Sequence, residues 1–304
     1  MKKKLSKEYT INDLPRFSSW PARLLGIDLW EQKYKTKEEI IREYEHEKWG
    51  PLLSRVQKEI NDITLEKVEK WMIYDTPDVL CSIGEKLKLL TAYKAHQRYM
   101  NLLEKTLKQY LPASSIVELG CGYGSIILKL AKNMNNSSMS FLAAEYTESG
   151  KELTNILARA ENISIDLGYC DFTSPEITTL AMPEDAIIFT SYATPYVPRL
   201  QDSFIEGICK FNPKIVIHFE PCYEHCEITT LLGLMRKRYI EVNDYNNNLV
   251  TLLYRYQKKG IIKIIDEKPT IFGKNPILTA SILIWKPVVK NSSNIKNKVK
   301  KHDT

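Results

Sequence analysis

Between residues 115 and 220 the chain alternates short apolar runs with amphipathic segments, and that alternation constrains the fold more than any other feature. SIVEL (115–119), SFLAA (140–144), ISIDL (163–167), DAIIFT (185–190) and KIVIHFE (214–220) read as strands. Helical patterns at 124–133, 148–160, near 200–210 and at 225–238 separate or follow them. Adjacent parallel strands need a crossover of a dozen or more residues, usually a helix, and such helices cover both faces of the sheet. Two further runs, 261–267 (IIKIIDE) and 278–286 (LTASILIWK), are joined by a Pro/Gly/Asn loop without a helix, which predicts an antiparallel pair at the sheet edge. The expectation is an α/β chain with a doubly wound, mostly parallel sheet of seven strands.

The first 110 residues have a different texture, with glycines only at 26, 50 and 84. Segments 37–48, 51–61, 64–74 and 84–110 read as helices, the last with one apolar face. Gly50-Pro51 is expected to end the first, Thr64 to cap the third and Pro112 to stop the fourth. These patterns predict a helical N-terminal cap over 1–112, a core over 113–288 and a basic, disordered tail over 289–304. With 43% hydrophobic and 26% charged residues among 304, the chain can bury a full core, and collagen, coiled coil and wholesale disorder are excluded. No run of about 18 apolar residues is present to cross a membrane. The opening MKKKLSKEYT lacks the apolar stretch of a signal peptide. The six cysteines form no CxxC pair, so reduced thiols and a cytoplasmic location are expected. His218, Cys222, His225 and Cys226 fit no common zinc spacing, and no metal is expected.

The net charge of +6 resides at the ends: residues 2–8 carry +3 and 288–304 carry +4, leaving the body at about −1. A nucleic-acid binder wears its basic charge on a folded face, so nucleic acid is not the expected partner.

The sharpest motif is Val117-Glu118-Leu119-Gly120-Cys121-Gly122-Tyr123-Gly124, a strand running through glycines into a helix. Glycines here permit a tight turn and close approach of a ligand to the backbone. A dinucleotide fingerprint would need its third glycine at position 125, which is Ser. The GxGxG spacing, with an acidic residue two places before the first glycine, resembles the first motif of class I S-adenosylmethionine-dependent methyltransferases. The resemblance covers about residues 113–288 and implies S-adenosyl-L-methionine as cofactor and an antiparallel last strand. It implies that Glu118, Gly120, Gly122 and Gly124 form the cofactor loop and that Glu145, closing the second strand, accepts from both ribose hydroxyls. It places Asp171 near the adenine amino group, with Phe172 and Tyr146 on the two adenine faces. Tyr93, Arg98 and Tyr99, just upstream, are placed to reach the methionine carboxylate.

On the substrate side the resemblance points to the ends of strands four and five. Pro195-Tyr196 partly matches the Asn/Asp-Pro-Pro-Tyr turn of amino methyltransferases, but Ala193 stands where that turn is polar. Tyr196, His225 and His218 are the candidate catalytic residues, the histidines as general bases. The polar, aromatic stretch 236–248 is a candidate binding surface for a polar or carboxylate-bearing substrate. The expected activity is methyl transfer to a small-molecule or peptide acceptor through N, O or C. Two alternatives stand beside it: a protein or RNA methyltransferase tethered by its basic tails, and a cofactor-binding protein without chemistry. The sequence leaves the oligomeric state open.

Overall fold

A computed structural model of the chain describes residues 8–32, 34–75, 78–134 and 139–288. The expected disordered tail over 289–304 lies outside these residues, as do residues 1–7.

Among the described residues nine strands form one sheet: β1 (Val79–Ile83), β2 (Lys86–Leu90), β3 (Ser115–Leu119), β4 (Ser140–Glu145), β5 (Asp166–Tyr169), β6 (Ile187–Ser191), β7 (Ile215–Pro221), β8 (Ile262–Asn275) and β9 (Leu278–Pro287). Their order is β2-β1-β8-β9-β7-β6-β3-β4-β5. Strands β3 to β7 pair in parallel, while β9 runs antiparallel to both β7 and β8. The sheet therefore has nine strands where seven were expected. Without β1 and β2, the remaining seven fall on the expected runs, the third displaced to Asp166–Tyr169, with the reversed strand β9 between β7 and β8; the β8–β9 pair expected at the sheet edge is interior, because β1 pairs outside β8.

The two additional strands come from the segment read as helical. Gly84 and Glu85 form a two-residue loop, with Gly84 at φ 59°, and Val79–Ile83 pairs residue for residue with Lys86–Leu90. The hairpin joins β8 through Ser82 and Ile83, opposite Gly273 and Phe272. The helix expected over 84–110 accordingly starts only at Ala92, capped by Thr91, and ends at Lys108. Gly50-Pro51 does not end the preceding helix. Helical winding runs from Lys37 to Lys58, with wide π turns over Ile41–Trp49, and the Gly50 amide reaches back five residues to the Glu45 carbonyl. Pro51 is the second residue of the next α segment and lies inside this continuous winding, where it lacks the N–H a helix interior would use. Thr64 caps its helix as expected.

The strand interior is buried on both faces, which explains its continuous apolar runs. Ile116, Phe189 and Ile217 pack one face beneath Leu103, Leu107, Ile127, Leu128, Leu153 and Leu157. Val117, Ile188 and Val216 pack the other against Phe204, Ile208, Leu252, Leu253 and Tyr256. The loops at the C-terminal ends of β3, β4, β5 and β6 surround one cavity of about 510 Å³, and residues from the 35–49, 72–73 and 96–99 stretches close it. Among the described residues no helix is long and apolar enough to cross a membrane.

Candidate active site

The cavity floor is the loop after β3. Gly120 has φ 78°, and a Cβ there would lie 2.5 Å from the Ala193 Cβ, so this loop packs directly against the turn after β6. Gly122, at φ 60°, lies under the Trp49 indole, whose Cζ2 would be 3.0 Å from an added Cβ. Both line the cavity; Gly124 packs on Thr154 and does not. Glu118 is buried, and its Oε2 accepts from the Ile127 amide (3.1 Å), tying the strand end to the first turn of the following helix. Burial drives its carboxyl well above the usual range.

Glu145 borders the same floor. Its Oε2 accepts from the Gly122 amide (2.8 Å), and its Oε1 accepts from the Thr147 amide (3.2 Å) and hydroxyl (2.8 Å). A carboxylate offers about four acceptor sites, so the residue expected to receive two ribose hydroxyls also braces the glycine loop. Burial raises its pKa, against these hydrogen bonds. Asp171 accepts from the Thr173 amide (2.8 Å) and hydroxyl (2.6 Å), and its Oδ2 pairs with Lys37 Nζ at 3.1 Å. Burial pushes its carboxyl up, but these partners outweigh burial and hold it below the usual range. Tyr146 and Phe172 line the cavity beside it.

The catalytic candidates separate. Tyr196 lines the cavity in a 3-10 turn, its ring centroid 4.7 Å from Tyr44 and 5.9 Å from Tyr245. His218 lies fully buried in β7 and does not line the cavity. Its Nε2 accepts from the Trp285 indole (2.9 Å), which leaves Nδ1 to donate to Thr190 (2.9 Å). Burial lowers its pKa to about 3, so it stays neutral. His225 is likewise off the cavity, held between Ser281 (2.8 Å) and Glu267 (2.6 Å). Arg98 is exposed and does not line the cavity; His96 and Tyr99, from the same helix, do. Among the described residues no group of three or more His, Cys, Asp or Glu is arranged to hold a metal.

Sequence reasoning missed Tyr44, Lys48, Trp49, His96 and Lys274, all of which line the cavity. The first three belong to the π-wound helix, where α-helical spacing would have misplaced their faces. His96 is anchored through Nε2 to Glu69 (3.3 Å), which also binds Lys129 (2.6 and 2.9 Å) and Tyr74 (2.7 Å). Burial keeps His96 below its usual pKa, and Lys129 supplies the charge that Glu69 needs. Three buried polar atoms on cavity-lining residues have no hydrogen-bond partner: Trp49 Nε1, His96 Nδ1 and Tyr123 OH. The close-approach glycines, the acidic groups after β4 and β5 and the aromatic flank together fit a nucleoside such as that of S-adenosylmethionine.

No protein-family model and no curated protein sequence matches the chain. Solved structures do. Geranyl diphosphate C-methyltransferase from Streptomyces coelicolor A3(2) is similar over 79% of this chain and 98% of its own, at 10% identity and a TM-score of 0.49. A putative sarcosine dimethylglycine methyltransferase from Galdieria sulphuraria is similar over 69% and 93%, at 10% identity and a TM-score of 0.48. Magnesium protoporphyrin IX methyltransferase from Synechocystis PCC 6803, crystallised with S-adenosylhomocysteine, is similar over 64% and 84%, at 12% identity and a TM-score of 0.45. At this level of likeness the functional reading has to stand on the chain's own residues.

Proposed function

We propose that the protein is a class I S-adenosylmethionine-dependent methyltransferase acting on a small-molecule or peptide acceptor in a covered pocket. The observation that carries this reading is the convergence of Gly120, Gly122, Glu145, Asp171 and Phe172 on one cavity at the C-terminal strand ends. Ligands of open α/β sheets bind at that edge. Glu145 and Asp171 would hold the ribose and the adenine, Phe172 and Tyr146 would flank the base, and Gly120 and Gly122 would let the backbone approach. When bound, the cofactor supplies an electrophilic methyl group. The chain's own contribution is alignment of the acceptor and exclusion of water.

Tyr196 is the catalytic candidate that borders the cavity, and its buried phenol, pushed above its usual pKa by burial, is a neutral donor that orients an acceptor heteroatom. Residues from the 35–49, 72–73 and 96–99 stretches are the parts of the N-terminal region that cover the site, while the 79–90 hairpin extends the sheet. Six unpaired thiols suit a reducing, cytoplasmic compartment. Titration calorimetry with S-adenosylhomocysteine and with NADH tests the reading. Saturable binding of the first and none of the second is expected; the reverse pattern would mean that the glycine loop serves a dinucleotide.

A further inference from the structure

The charges around the cavity are unevenly matched. Lys37 is paired with Asp171 (3.1 Å) and Lys35 with Glu43 (2.5 Å). Two other lysines enter the same space and form no ion pair among the described residues: Lys48 and Lys274. The Lys48 ammonium lies over the Tyr44 and Trp49 rings at 4.5 and 4.6 Å. Lys274 is exposed and also lines the cavity. Burial lowers the Lys48 pKa, the Glu43 and Glu145 carboxylates raise it, and the Lys274 ammonium lowers it.

The backbone that presents Lys274 is irregular. The β8–β9 register shifts between Lys268 and Phe272 and again between Phe272 and Asn275, so Lys274 lies inside a bulged stretch. At Gly273 a Cβ would lie 2.5 Å from the Asn275 carbonyl oxygen, so the bulge leaves no room for a side chain there. Bulges re-aim side chains beside functional sites. An ammonium can only donate. Donor-only groups are completed by an acceptor-only partner, and two ammoniums by an anion.

Position in the sheet separates Lys274, on β8, from the cofactor end, whereas Lys48 lies over Trp49, which covers Gly122. Strands β9, β7 and β6 stand between β8 and β3. At about 4.8 Å per strand this is roughly 19 Å of sheet, and Glu145 and Asp171 lie still further along, at the ends of β4 and β5. The wall between is apolar and aromatic: Tyr44, Tyr192, Tyr196, Val197 and Leu278.

We propose that the acceptor is an apolar or aromatic molecule carrying a carboxylate or phosphate, and that this anion is held by Lys274, with Lys48 reinforcing the field. The proposal rests on the methyl-transfer reading and names the substrate class of that site. The test titrates the full chain with benzoate, phenyl phosphate and neutral benzamide, with and without saturating S-adenosylhomocysteine, following tryptophan fluorescence and heat. At least one anion is expected to bind about tenfold or more tightly than benzamide, as a charge-assisted contact requires; which anion prefers the site distinguishes carboxylate from phosphate. Lys274→Met and Lys274→Gln should abolish the preference, Lys274→Arg should keep part of it, and all three should bind S-adenosylhomocysteine as the wild type does. Equal binding of benzamide, no saturable anion binding up to about 10 mM, or an undiminished preference in Lys274→Met overturns the proposal. So does a parallel loss of S-adenosylhomocysteine affinity, which would assign Lys274 to the cofactor's own carboxylate. A wild-type chain that binds the anions but not S-adenosylhomocysteine would overturn the methyl-transfer reading and leave the anion site standing.

Discussion

Glu145 shows how one residue can serve two purposes, and why its position was legible while its bonding was not. The end of a strand about 25 residues past a glycine loop is visible in the sequence. That the Gly122 amide and both Thr147 donors already bind its carboxylate depends on how two loops meet. Glu145→Gln replaces one acceptor oxygen with an NH2 that faces a donor on either side. It should lower unfolding stability by about 1–3 kcal/mol and weaken S-adenosylhomocysteine binding at least about tenfold. Urea denaturation and calorimetry read the two effects; a variant with unchanged stability would show that these hydrogen bonds do not brace the loop. Gly120→Ala tests the neighbouring contact. A positive φ and a 2.5 Å approach to the Ala193 Cβ cannot both be kept by a side chain, so a loss of about 1–3 kcal/mol is expected. The histidines illustrate the opposite case. His218 and His225 stand at the right places in the chain for a general base, but strand alternation and the neighbouring strands decide where a ring points. Trp285, Thr190, Ser281 and Glu267 hold these two rings outside the cavity lining.

At the scale of elements, the parallel core was legible because each strand is a self-contained apolar run bounded by turns. The hairpin was not. KLKLL places leucines at 87, 89 and 90, which suits a short helical face as well as a strand, and the choice is made by pairing with β1. The Gly84-Glu85 step between VLCSI and KLKLL was the local signal for it. Helix-to-helix ties were also invisible, since they depend on side chains distant in sequence. Glu69, His96, Lys129 and Tyr74 join three helical segments through one carboxylate. Burial alone would raise the Glu69 pKa, but the bonds from His96, Lys129 and Tyr74 outweigh it and hold the group at about 2. Its folded value lies below its ordinary value of 4.5, so the contribution to stability is complete above about pH 4.5 and is lost as pH falls toward 2. The contribution is on the order of 3 kcal/mol. Urea denaturation from pH 6 to pH 3, in wild type and in Glu69→Gln, measures it. The gap between the two proteins should narrow as pH falls, and a gap independent of pH would mean that the Glu69 charge contributes nothing.

For the molecule as a whole, the question is what joins the N-terminal region to the sheet. Few ties cross directly over the cofactor end: Glu45 accepts from the Ser149 amide (3.1–3.2 Å), Lys37 pairs with Asp171, and Trp49 rests on Gly122. The Lys37 ammonium is exposed, and exposed pairs contribute little. The segment's own apolar contacts against the core come from Trp49, Leu52 and Val56, with Tyr44 and Leu53 packed beside them. A ligand in the cavity would add a surface for Tyr44, Lys48 and Trp49 to close on. Ligand binding to the folded state at 100 times its dissociation constant stabilises by about 2.7 kcal/mol, and that global gain slows every exchange event that requires full unfolding. Segments that open locally should respond separately, according to whether they touch the ligand. Amide hydrogen exchange with saturating S-adenosylhomocysteine should therefore show extra protection in 37–58, beyond any change in 249–258, a helix packed on the opposite face of the sheet. Trp49→Ala should remove the excess protection in 37–58 while leaving the sheet's own exchange pattern in place. Equal protection of the two segments in the wild-type chain would mean that the 37–58 helix is fixed by its core contacts alone and does not close on the ligand.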